Sequence, residues 1–132
     1  MGYTTIGTAL FNKVDAVSDL DFTYNYEPKE LAKYPCATVS ALSHANTFAD
    51  TAANRREMVF IIRVYFRTDQ TDYERIMRTT VDAIMEAVET DPSLSGACDF
   101  AEPSEAKWFF QEREVPVRVC EITVNCVFRK NR

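Results

Sequence analysis

Two stretches of strict alternation, Met58–Phe66 and Val115–Phe128, constrain the fold of this chain more than any other feature. In the first, Met58, Phe60, Ile62, Val64 and Phe66 alternate with Val59, Ile61, Arg63 and Tyr65. Successive side chains of a β-strand point to opposite faces, so the pattern predicts a strand with one wholly apolar face. The second stretch sets Ile122, Val124, Cys126 and Phe128 against Glu121, Thr123, Asn125 and Val127. Such patterns specify a sheet well and a chemistry poorly.

The other elements follow from weaker signals. Ile6, Leu10, Val14 and Val17 recur at helical spacing, with Thr4 or Thr5 available as N-cap and Asp19 and Asp21 beyond the end. Asp21–Tyr26 and Cys36–Leu42 read as short strands, separated by a loop that Pro28 and Pro35 bound. Thr71 and Glu74 have the spacing of a capping box. The helix it would open carries Tyr73, Ile76, Met77, Thr80, Ile84 and Val88 on one face and stops at Asp91-Pro92. Ser93–Glu105 reads as a loop, and Lys107–Arg113 as a further strand. Strands outnumber helices and most links are short. The expected fold is α+β: one domain over residues 1–132, a mainly antiparallel β-sheet with two α-helices packed on one face.

At 132 residues the chain is long enough to bury a core, and 46% hydrophobic with 27% charged residues is a globular balance. Three glycines leave no glycine-rich phosphate loop, and a net charge of −5 disfavours general affinity for nucleic acid. No apolar run approaches the ~18–20 residues of a membrane span, so no membrane partner is expected. The segment Met1–Thr5 lacks a basic region followed by an apolar stretch, so no secretory signal is expected, and Ile6 breaks a myristoylation motif. Cys120 and Cys126 would lie ~20 Å apart along one strand, too far to bridge. With no metal-type spacing among Cys36, Cys98, Cys120 and Cys126, four reduced, mostly buried thiols are expected, pointing to a reducing cytoplasm. The single histidine, His44, follows Ser43 directly, an adjacency that does not build a nucleophile–base couple. No enzyme, cofactor or metal site is expected.

Three features bear on partners. Residues 43–56 are small and polar without periodicity, apart from Phe48, and read either as a flexible loop or hairpin arm that orders against a partner, or as an idle surface loop. Arg63, Tyr65 and Arg67 share one strand face. That suits a subunit interface or solvated rim, or a platform for single-stranded nucleic acid, although the glycines of the RNA-binding strand motif are missing. From Asp82 to Glu114 nine carboxylates face only Lys107 and Arg113, either a solvated surface or one that repels polyanions.

The segment Ser95-Gly96-Ala97-Cys98-Asp99-Phe100-Ala101-Glu102-Pro103-Ser104, then Trp108 and Gln111-Glu112-Arg113-Glu114-Val115-Pro116-Val117-Arg118, resembles the C-terminal half of the small tail-terminator, or tail-completion, proteins of long-tailed bacteriophages. The order of elements is similar along nearly the whole chain. The resemblance implies an α/β subunit of a virion's tail or neck, assembled in the host bacterial cytoplasm into a homo-oligomeric ring, a hexamer in these families. That ring ends growth of the tail-tube protein and meets the head-tail connector, while DNA passes through without specific binding. It makes Phe48 an anchor in a neighbouring subunit, Arg55 and Arg56 ion-pairing groups, and Arg63, Tyr65 and Arg67 interface residues. It also makes Glu102, Glu105, Glu112 and Glu114 candidates to line the lumen. Neck and head-completion proteins of similar layout, and a small nucleic-acid-binding α/β domain, are the alternatives.

Overall fold

A computed structural model describes residues 2–48 and 53–131 of the protein, with side chains at 2–43 and 55–128. The elements are α1 (Tyr3–Asp15), β1 (Phe22–Tyr24), β2 (Cys36–Phe48), β3 (Ala53–Arg67), α2 (Tyr73–Thr90), β4 (Phe100–Glu112) and β5 (Pro116–Asn131). The fold is α+β. Five strands form one sheet in the order β1-β2-β3-β5-β4. Only the β1–β2 pair is parallel; the others are antiparallel.

The two alternating segments are the middle of the sheet. β3 and β5 pair along their whole length, from Ala53↔Asn131 to Arg67↔Val117. Met58, Phe60, Ile62, Val64 and Phe66 stand beside Cys120, Ile122, Val124, Cys126 and Phe128 in one buried cluster, closed by Ile6, Leu10 and Val14 of α1 and by Met77, Val81, Ile84 and Val88 of α2. Both helices therefore cover the same face. A one-residue slip of either central strand would turn this whole set to the other side, so burial fixes the register. Lys13 of α1 reaches Asp91 at the end of α2 (2.9 Å), pinning the helices to each other.

Several sequence expectations need correction. Of the two readings of residues 43–56, the loop gives way to paired strands of the kind a hairpin arm would have: β2 runs on to Phe48 and β3 starts at Ala53, paired out to Phe48↔Asn54; residues 49–52 lie outside the described set. Ser93–Glu105 is likewise only partly loop, because β4 begins at Phe100. In both places the backbone of a long central strand supplies the pairing partner, and that outweighs the poor strand propensity of Ser, Ala, Asn and Pro. Helix α1 starts from Gly2 rather than from a threonine cap and ends at Asp15, although Val17 still packs on the core. The capping box is absent: Asp72 is the N-cap, in left-handed conformation (φ 59°), with no side-chain cap bond. Glu74 instead meets Arg78 and Arg118 at 3.1 and 3.3 Å. Two guanidinium partners outcompete one backbone N–H for the same carboxylate.

Ile62 is fully buried at the centre of this layer. Ile62→Ala is expected to cost about 2–5 kcal/mol, the range for truncating a packed aliphatic side chain. Val59→Ala, half-buried on the other face of the same strand, should cost well under half of that. Urea midpoints of the two variants measure the difference.

Candidate functional site

The face of the sheet away from the helices is divided in two. Near the β1 end the chain covers it with its own segment 25–35. Leu31 and Tyr24 pack there on Cys36, Tyr65, Val117 and Val119 in a second buried cluster. This segment is fastened by one carboxylate. Glu27 accepts hydrogen bonds from the Thr38 hydroxyl (2.8 Å), Arg63 (3.0 Å) and the Tyr65 hydroxyl (2.9 Å). Arg63 also donates to Glu121 across the β3–β5 pair at 2.8 Å. The far half of the face carries Thr123 and Asn125 of β5 with Glu102 and Glu105 of β4, set side by side by the strand register, and the two glutamates are exposed.

Of the candidate interface residues on β3, Arg63 and Tyr65 thus have partners inside the chain. Tyr65 is 2% exposed, sits 5.1 Å from the Arg113 guanidinium and has its hydroxyl engaged, so it offers no stacking surface to a base. Burial, and then the nearby Glu27 carboxylate, push its ionisation above the ordinary tyrosine range. For Arg63, burial works against the charge but the hydrogen bonds to Glu121 and Glu27 outweigh it, and its ionisation is raised. Arg67 makes a two-point contact with Asp69 at 3.1 and 2.7 Å. An open basic and aromatic platform on this strand is therefore corrected to a closed polar cluster around a cleft of about 280 Å³. The signal the sequence reading missed is Glu27, isolated between proline-bounded turns with nothing local to indicate its three partners.

The other candidates lie apart from this cluster. Arg55 is exposed and Arg56 half-buried on the outer part of β3, opposite Thr47 and Asn46 of β2. Phe48 ends β2, and its side chain, like that of His44, lies outside the described set. Glu102, Glu105, Glu112 and Glu114 are all exposed but do not form one surface. Glu102 and Glu105 stand opposite Asn125 and Thr123 on the helix-free face. Glu112 stands opposite Pro116, in step with Arg118 on the helix side, and Glu114 lies in the β4–β5 turn. Among the described residues no group of three or more His, Cys, Asp and Glu side chains is arranged to hold a metal ion, and no helix is long and apolar enough to cross a membrane. All four cysteines are buried and free.

What remains available to a partner is at the margins of the sheet. Among the described residues β1 pairs only with Cys36–Thr38, no strand neighbours the outer edge of β2 from Val39 onward, and none lies on the outer side of β4. Unpaired strand edges of this length are ready to pair with another chain. The exposed large apolar side chains collect at the same places: Tyr3, Phe22, Tyr26 and Leu42 around the β1–β2 margin, Phe100 and Phe110 on β4. Beside the β2 edge a groove of about 370 Å³ runs between α1 and the sheet, lined by Tyr3, Gly7, Tyr26, Val39, Ala41 and Phe60 among others.

This α+β arrangement can be set beside known proteins. The fold is similar to that of a chain in a solved structure described as the virion of a native gene transfer agent (GTA) particle. The TM-score is 0.54 and the identity 14%, with 92% of this chain and 93% of that chain covered. No protein-family model matches the sequence, and no curated protein matches it.

Two measurements probe the covered half of the face. Glu27→Ala removes the acceptor for three donors. It should cost about 2–3 kcal/mol, the range for hydrogen bonds to a charged group, with Glu27→Gln intermediate, read from urea midpoints. Burial also raises the Cys36 and Cys120 thiols from 9.0 to about 12, with Arg113 and Arg118 respectively pulling the other way. The unfolded chain ionises these thiols first. Their contribution is therefore complete below about pH 9 and lost as the pH rises toward 12. Denaturant midpoints should hold level from pH 7 to 9 and then fall, less steeply in the Cys36→Val, Cys120→Val double variant.

Proposed function

We propose that this protein is a structural component of a virion of the long-tailed bacteriophage type. Within it, the protein acts as a tail terminator: copies form a ring on the last ring of the tail tube, stop its growth and present a surface to the head connector. The observation that carries this reading is the end-to-end likeness of fold to a chain of a gene transfer agent virion. The resemblance of Ser95–Arg118 to tail-terminator sequences supports the finer assignment. Two open sheet margins bearing exposed aromatic and aliphatic side chains supply the kind of surface by which identical copies associate.

In this reading the helix-free face of the sheet turns toward the lumen. Glu102 and Glu105 lie on it, and Arg63, its nearest central cation, is neutralised by Glu27 and Glu121. Exposed carboxylates on the outer strand, beside a central Arg63 that is already paired, disfavour a lasting hold on the DNA backbone. Glu112 and Glu114, off this surface, are left out of the lining.

The test is genetic and microscopic. Particles lacking the gene are expected to carry tail tubes of uncontrolled length in electron micrographs. Tubes of normal length that fail to join heads would instead mark a neck or head-completion protein.

A further inference from the structure

The ring reading requires one surface of the subunit to fit a different surface of the next copy, and the two sheet margins are built to do so. We infer that β4 of one copy adds antiparallel to the open stretch of β2 in the next, with Phe110 seated in the groove between α1 and β2. This inference rests on the proposed ring and names its contact.

Three observations lead to it. The first is polarity. Along the order β2-β3-β5-β4 every neighbouring pair is antiparallel, so β2 and β4 themselves run in opposite directions. A second copy in the same orientation therefore brings its β4 alongside β2 antiparallel, which is the more stable pairing. The second is sidedness. Phe110, 66% exposed, stands opposite Arg118, which stands opposite Phe66 of the core, so it projects on the helix side of the sheet. The groove is on that side too, since Ala41 and Val39 pair with the core residues Phe60 and Ile62. Continuing the sheet keeps the helix layers together and points the phenyl ring at the groove. Within its own chain the ring is held in place by the Arg118 guanidinium, 4.4 Å from its centre.

The third is offset. β1 occupies β2 at Cys36–Thr38, so an incoming strand pairs only from Val39 outward. Setting Phe110 opposite Ala41 satisfies this and uses β4 up to the point where the Ala101 N–H is taken by the Pro92 carbonyl. The same offset carries Glu105 of one copy to the outer part of β2, one strand from Arg55 on the helix-free face of the other. A stagger of this kind is what a sheet needs in order to curve closed. Because the contact joins unlike surfaces, it repeats from copy to copy and ends only by ring closure.

Two variants of the full chain that each add one exposed cysteine to the four buried thiols, Ala41→Cys and Phe110→Cys, test it. Mixed and mildly oxidised, they should give a disulfide-linked dimer. Each alone should give none, and Phe110→Asp should shift the protein to monomer in sedimentation while keeping the native far-ultraviolet circular dichroism spectrum. Cross-linking of Phe110→Cys to itself would overturn the contact in favour of a two-fold one. A discrete oligomer in which the mixture does not cross-link would overturn the contact and leave the ring standing. A chain that stays monomeric up to millimolar concentration, with no mixed dimer, would overturn both.

Discussion

Everything in this chain is referred to the ladder between β3 and β5. Two strands of fifteen and sixteen residues pair without a break, and their inward residues are nearly all aliphatic or aromatic. Among the described residues both helices lie on the apolar face of this ladder, β4 pairs only with it, and β2 pairs with nothing else but β1, over the short stretch Cys36–Thr38. The strength of this centre lets the outer strands carry residues that would not hold a strand by themselves. Ser43, Ala45 and Asn46 on one side, and Glu102, Pro103 and Ser104 on the other, are extended because a long neighbour is already in place.

The same asymmetry explains how far the fold was readable from sequence. Period-two alternation in Met58–Phe66 and period-3.6 recurrence in Tyr73–Val88 are local statements about burial, and both elements lie where the spacing puts them. The outer halves of β2 and β4 carry no such statement, because their conformation is decided by residues far away in the chain. The capping box failed for a related reason. Thr71 and Glu74 have the right spacing, but Arg118 arrives from β5 and takes the carboxylate.

The functional surface was readable in kind and misplaced in detail. Arg63, Tyr65 and Arg67 on one strand face suggested a subunit interface or rim, yet Tyr65 packs inside the chain with Leu31 and Tyr24 and Arg63 is paired to Glu27 and Glu121. Nothing in the composition of residues 25–35 announces a lid over a sheet; it takes the parallel β1–β2 connection to lay it there. Phe110 was likewise visible in the sequence as one of a run of aromatics. Only the strand register separates it from Trp108, which packs against the core, and Phe109, which faces the covered side.

Both outer strands contain an extra residue, Leu42 in β2 and Ser104 in β4, whereas the β3–β5 ladder has none. An extra residue bends its strand and interrupts the even spacing of backbone donors and acceptors. The margins are therefore open to pairing but not to every strand that comes by. A flat, regular segment from an unrelated polypeptide loses register at the bend after a few bonds and leaves again. Any strand that pairs along either margin has to follow that bend, while the rigid centre of the sheet is left undisturbed.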